Sequence, residues 1–465
     1  MNYLVRLLGI GLFLTLSAGS VEAIDTVPLA TSHYTQDAPA SASPFLTWNN
    51  NLNAVYYQIE FFNRVPRNLS ILEPSDSHSF FSDQVYTNAY NPKLTDFAAR
   101  SIGRRPIYWR VRAMAIDHTP ITSFSELELL YTDENIISLE APVPNIEYNK
   151  GNGTILLYPV YSWVKNYGAE NFEVEILDEP PENPNGTSPS EHRIDTLETR
   201  GGEIYDTLPR MSSRPFYWRV RGFAEDGVTP VGHYSDTQTF LTDPQAGWKV
   251  AIYGDSISHG GGHISFGPAD WEYSYAFYLH FPTVNLSRSG DTSSSMVDRF
   301  DDDVLPFYPH YLLIMGGSNS LRGGVPADEV INDLKTLQMK CLKNGITPIF
   351  LTLPPINPEN IKRAFDQDTV EDWQLQFAAV NAFIRENFLY IDIAAAMEEP
   401  EGILLTSYGM DGLHPDVEGK KIMANTINTA WPKRKNRQVV PEDYFLKSWI
   451  LFVQIKKILW PFLPL

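Results

Sequence analysis

Cysteine is nearly absent: Cys341 is the only one in 465 residues, so no intrachain disulfide can form and metal–thiolate clusters are excluded. It lies in LKTLQMKCLKNG, a helical pattern ending at Gly345, where a buried structural thiol is expected. Positive charge is also scarce. The chain carries 36 Lys and Arg against 56 Asp and Glu, a formal net charge of −20, which repels phosphate and argues against a nucleic-acid partner. The apolar run Leu7 to Leu16 falls short of the roughly 20 residues that a membrane span needs. Arg6 precedes it and Val21-Glu22-Ala23 follows, which predicts a signal peptide over 1–23 and export to the periplasm, the cell surface or the medium. No cysteine comes directly after it, which argues against lipid attachment there.

With 43% hydrophobic and 20% charged residues, the composition is that of a globular protein with enough chain for two or three domains. The middle of the chain repeats. A Tyr-Trp-Arg-Val-Arg core begins at Tyr108 and again at Tyr217, each time after Arg-Pro and a hydrophobic residue. This spacing suits one antiparallel sandwich of roughly 100 residues rather than a short solenoid repeat. Alternation places Tyr108, Arg110 and Arg112 on one face of a strand and Trp109, Val111 and Ala113 on the other. The two halves, over 27–135 and 140–245, resemble fibronectin type III modules, which implies a pair of β-sandwiches. Such modules serve as spacers or as contacts to glycans and surfaces, and fold alone does not choose between them.

From Trp248 the pattern becomes alternating strand and helix. Strands are expected over 249–254, 283–287, 311–316, 347–353 and 389–393, with helices from Ala327 to Asn344 and from Val417 to Ala430, the last capped by Asp416. Five such units read as a three-layer α/β domain around a doubly wound parallel sheet, over 248–432. A basic, aromatic tail covers 433–465. Lys447, Lys456 and Lys457 break its apolar run, so it is read as either a docked element or an interfacial helix making peripheral membrane contact.

Chemistry concentrates at two places. Val250 to Tyr253 is an apolar strand ending at Gly254-Asp255-Ser256, and such strand ends are where open α/β sheets place ligands. Much later, Asp411-Gly412-Leu413-His414-Pro415 puts a carboxylate and an imidazole on one tight turn. A serine hydroxyl needs a base to become a nucleophile, and histidine is the residue type suited to that task, which points to His414. Asp411 can fix the imidazole tautomer. Bland readings exist alongside. Ser256 could only cap a helix, Asn319 could only serve a turn, and His259 and His263 are read as loop or cleft residues rather than metal ligands. Asp255 is read as structural, and Asp301-Asp302-Asp303 as a solvated helix end rather than a calcium site.

Residues 248–432 resemble the SGNH (GDSL-type) hydrolases, in the flavour of their thioesterase/lysophospholipase branch. The resemblance rests on four blocks in order: Gly254-Asp255-Ser256-Ile257; Asn285 through Ser289-Gly290-Asp291; Gly317-Ser318-Asn319-Ser320, where Ser320 stands for the usual Asp; and Asp411 to Pro415. It implies a flavodoxin-like fold, Ser256, His414 and Asp411 as the catalytic residues, and an oxyanion hole of the Ser256 and Gly290 backbone N–H groups with the Asn319 amide. The expected activity is that of an exported serine esterase acting on an acyl ester, without metal or cofactor. Its substrate is either a carbohydrate acetyl ester or a lipid acyl ester. The alternative is a surface adhesion protein with a vestigial hydrolase domain.

Overall fold

The computed structural model describes residues 27–431 apart from 50, 52–53, 55, 86–87, 116–117, 137–140, 145–154, 167, 263–272 and 398–401. The signal peptide expected over 1–23, the tail over 433–465 and His263 lie outside the described residues. The chain divides into two compact units, 1–138 and 139–465.

In the first unit, β1 (Leu46–Thr47) pairs with β4 (Ala89–Tyr90). An antiparallel sheet runs in the order β3 (Phe80–Val85), β2 (Tyr56–Phe62), β5 (Ile107–Met114), β6 (Glu128–Leu130), and α1 (Leu94–Ala98) lies between β4 and β5 in sequence. Alternation assigns the faces as the sequence suggests. Trp109, Val111 and Ala113 join Leu46, Trp48, Tyr57 and Ile59 in one core. The other face of the sheet is closed too. Arg110 pairs with Glu60, its register partner on β2, both side chains being fully buried, and donates to the backbone oxygens of Ser70 and Glu73.

The second unit begins with the same arrangement. One antiparallel sheet is β11 (Glu203–Tyr205), β8 (Val160–Val164), β7 (Val143–Pro144). The other is β10 (Arg193–Thr199), β9 (Asn171–Leu177) and β12 (Phe216–Phe223), with β13 (Pro230–Val231) and β14 (Gln238–Phe240) both pairing β12. Tyr161, Trp163, Phe172, Val174, Trp218 and Val220 share one core between them. Arg219 repeats the part of Arg110: it pairs with Glu175 opposite on β9 and its guanidinium lies 4.1 Å from the Tyr234 ring centre.

The unit continues into a five-stranded parallel sheet, β16 (Val284–Asn285), β15 (Val250–Gly254), β17 (Tyr311–Met315), β18 (Thr347–Leu351), β19 (Tyr390–Ile391), in that spatial order. Every residue of β15 is buried, as expected of a strand covered on both faces. The helices are α2 (Ser256–His259), α3 (Ser293–Asp303), α4 (Ser318–Arg322), α5 (Ala327–Lys343), α6 (Pro358–Phe365), α7 (Trp373–Asn387), α8 (Ile393–Met397) and α9 (Val417–Ala430). On α5, Val330, Leu334, Leu337 and Cys341 face the core at helical spacing. Burial pushes the Cys341 thiol up to about 12, which leaves it inert.

Two expectations change. Asp416 occupies the N-cap position of α9, but its carboxylate accepts from the Met410 N–H at 2.8 Å and makes no side-chain cap. Asp301 and Asp302 are exposed, whereas Asp303 is buried against Arg299 at 2.8 Å. The segments 140–245 and 248–432 lie within one unit, joined by residues 155–158: Leu157 and Tyr158 belong to the core of the parallel-sheet layers.

Candidate active site

The strand order reverses at β15, between β16 and β17, so the loops that leave these three strands open a crevice at their carboxyl ends. This is why three distant sequence blocks meet. Glycine is demanded at 254, because a Cβ there would stand 2.2 Å from the Met315 backbone oxygen. Asp255 caps α2 by accepting the Ile257 N–H at 3.0 Å. Burial lifts its carboxyl to about 6, against that hydrogen bond and the nearby His414 and Lys420. Ser256 is therefore the first residue of the helix and not its cap, and its side chain is free for another partner.

That partner is His414. Ser256 Oγ lies 2.8 Å from His414 Nε2, and His414 Nδ1 lies 2.8 Å from Asp411 Oδ2. The second Asp411 oxygen accepts the backbone N–H groups of Leu413 and His414, each at 2.8 Å, which fixes the carboxylate against the turn. Burial pushes the Asp411 carboxyl up, but hydrogen bonds and charge from His414 and the two backbone donors outweigh it and hold it below the usual range. An ionised Asp411 accepts the Nδ1 proton, so Nε2 is left with a lone pair toward the serine hydroxyl.

Gly290 has φ +85, a conformation only glycine adopts freely, and nothing lies within 4 Å of the side chain it lacks. Asn319 sits on α4, where its Nδ2 donates to the Asp291 backbone oxygen at 2.9 Å and its Oδ1 accepts from Arg322 Nε at 3.2 Å. One amide hydrogen is used in this way, and an amide carries two. Ser320 does not vacate its place: its buried Oγ accepts the Ser293 N–H at 2.9 Å and so ties α4 to the start of α3.

Arg299 and Lys420, which sequence reading passed over, hold this constellation together with His259, which it read as a loop or cleft residue and which lies on α2 beside the cleft. Arg299 on α3 binds Asp291 and donates to the backbone oxygens of Leu286 (2.7 Å) and Gly254 (3.2 Å), so one guanidinium joins the ends of β15 and β16. Lys420 on α9 is fully buried and donates to Ile257 O, on α2, at 2.6 Å. Burial draws its ammonium down to about 7, although Asp416, Asp255 and Asp411 favour the charge. His259, also fully buried, has both nitrogens engaged, one by Ser289 Oγ at 2.9 Å and one by Tyr158 O at 2.8 Å. Burial lowers its pKa to about 4, so the ring is neutral at pH 7. A cleft of about 310 Å3 opens beside Gly290; Tyr205, Asp206 and Thr207 line it together with Arg288, Ser289 and Asp291.

Residues 252–422 match the model of the family described as GDSL-like Lipase/Acylhydrolase. No curated protein matches the chain. Among solved structures, a GDSL-like lipase from Bacteroides thetaiotaomicron is 22% identical over 39% of this chain and 86% of its own, with a TM-score of 0.32. An acetylxylan esterase from Geobacillus stearothermophilus is 21% identical over 41% of this chain and 98% of its own, with a TM-score of 0.32. A lipase/acylhydrolase from Enterococcus faecalis is 19% identical over 39% of this chain and 94% of its own, also at 0.32. By the family match, residues 252–422 form a GDSL-like lipase/acylhydrolase domain, and the chain is a carboxylic ester hydrolase.

Proposed function

We propose that the chain is an exported serine esterase that removes short acyl groups from a hydroxyl-rich alcohol, with Ser256 as nucleophile. The observation that carries this reading is the series of two 2.8 Å contacts, Ser256 Oγ to His414 Nε2 and His414 Nδ1 to Asp411. In the first half-reaction His414 takes the Ser256 proton as Oγ bonds to the ester carbon, and Asp411 steadies the imidazolium. The carbonyl electron pair moves onto oxygen, where the N–H groups of Ser256 and Gly290 and the Asn319 amide meet the charge. When the pair returns, the alcohol leaves with the proton from His414, and the acyl group stays on Ser256. Water then repeats the sequence with His414 as base, and the carboxylic acid departs.

The β-rich segments before this domain are read as two fibronectin type III-like modules, over 27–135 and 140–245. Paired sheets around one core, with an Arg–Glu pair at the same place in each, support that reading. Support for the substrate class comes from the cleft beside Gly290, whose charged wall is the half-exposed Arg288 guanidinium, while the Asp206 and Asp291 carboxylates are buried in ion pairs with Arg210 and with Arg288 and Arg299. Such a surface suits a sugar-like alcohol better than a lipid tail.

Initial rates on p-nitrophenyl esters from C2 to C12, together with acetate release from an acetylated polysaccharide, test both parts. The expected result is highest activity on the acetyl ester and release of acetate from the polymer. Activity that climbs from C4 to C12 would transfer the substrate to the lipid class, and no hydrolysis of any ester would remove the function itself.

A further inference from the structure

Residues 155–157 reach from the paired sheets of the second unit to the parallel sheet. Leu157 N–H donates to Asn285 O and Asn285 N–H to Ile155 O, both at 2.9 Å, so this segment runs as a short parallel strand along β16. Thr242 Oγ donates to Leu156 O at 2.7 Å and Arg210 N–H to Leu157 O at 2.8 Å, which anchors the same segment to the paired sheets. Tyr158 follows, with its hydroxyl on Asp303 at 2.7 Å.

A directed chain of hydrogen bonds begins here. The Tyr158 carbonyl can only accept, so His259 Nε2 carries the proton and His259 Nδ1 is an acceptor. Ser289 must then donate its hydroxyl proton to Nδ1, which leaves lone pairs on the Ser289 oxygen toward the neighbouring Tyr205 hydroxyl. The Tyr205 ring also packs on the His259 ring, 5.2 Å between centres. One end of the chain, Tyr205, comes from the paired sheets, and the other, Tyr158, from the segment that joins them to the parallel sheet. The middle is Ser289, whose own carbonyl carbon forms the peptide that bears the Gly290 N–H. Gly290 has no side chain to pack, and open space faces its Cα, so its neighbours must set the direction of that N–H.

We infer that Tyr205 is a positioning residue for the reaction: through Ser289 and His259 it holds the peptide N–H of Gly290 in line with the oxyanion. The inference rests on the reading of Gly290 as an oxyanion donor. It makes the paired sheets part of the enzyme rather than a detachable spacer.

The test is steady-state kinetics on p-nitrophenyl acetate with full-length Tyr205→Phe, Ser289→Ala and the double variant, beside Ser256→Ala and with thermal midpoints measured for all. Each single variant is expected to lose about tenfold in kcat, short of the roughly 10²-fold of a badly misplaced group, with KM within about twofold. The double variant is expected to fall no further than either single one, because the two act as a unit. A rise in KM at constant kcat would make Tyr205 a cleft wall only and overturn the inference. So would a kcat of Tyr205→Phe within twofold of the wild type, or losses that multiply in the double variant. In those cases an inactive Ser256→Ala would show that the esterase reading stands alone, whereas an active Ser256→Ala would overturn both.

Discussion

Replacing Ser256 by alanine is expected to lower kcat on p-nitrophenyl acetate by about 10⁶-fold while leaving the protein folded, the scale seen when a serine hydrolase loses its nucleophile. The change removes one oxygen whose partner is His414 Nε2 at 2.8 Å. Nothing in the fold depends on that oxygen, since Asp255 and not Ser256 caps α2. Stability should therefore stay within about 1 kcal/mol of the wild type, as for a partly exposed site away from core packing. His414→Ala should lose about as much, and the double variant no more than either, since nucleophile and base act as one unit. What survives should still exceed the rate in water, because the oxyanion donors remain. Kinetics of the three variants with a matched thermal melt check this.

Glu175→Ala is expected to destabilise the second unit by about 3–5 kcal/mol, the cost of leaving one member of a buried ion pair uncompensated. Glu175 is fully buried and accepts from Arg219 Nε at 2.6 Å, Arg193 Nε at 2.7 Å and the Ser190 N–H at 2.7 Å. Truncation orphans all three donors beneath the loop that covers this face of the sheet. The Arg219 guanidinium would keep only the carbonyls of Asn183 and Ser188 and the Tyr234 ring. Changing Glu175 and Arg219 together to apolar residues of similar volume should cost less, since the one charge left there, the partly exposed Arg193, keeps Glu173 at 2.7 Å. Denaturant unfolding of the single and double variants measures the difference.

What the sequence made legible depended on how local the cause was. Strands β15, β17 and β18 were readable because a strand buried on both faces leaves an apolar run bounded by turn residues. The alternation in Tyr108 to Ala113 likewise gave the core face of β5 from period alone. The opposite face was not readable as buried. Arg110 and Arg219 carry a charge that belongs in water unless a partner is known, and their partners Glu60 and Glu175 are set by strand register. At the site, Ser256, His414 and Asp411 announce themselves by residue type at a strand end and a tight turn. Lys420 and Arg299 do not. A lysine on the amphipathic helix α9 reads as a solvent-facing residue, and only the packed structure shows its ammonium bonded to Ile257 O. His259 drew notice as a histidine near the nucleophile, yet its partners Tyr158 and Ser289 lie far from it in sequence. Asp416 shows the same limit at short range: sequence position identified its place before α9, while the tertiary turn redirected its carboxylate to Met410.

On the proposed mechanism, one hydroxyl in this chain is activated by a histidine. The most direct measurement is reaction of the full-length protein with a fluorophosphonate, followed by mass spectrometry of its peptides. The expected result is a single phosphonyl adduct on the peptide containing Ser256, and none on His414→Ala under the same conditions. An unlabelled wild-type protein, or an adduct on another serine, would contradict it.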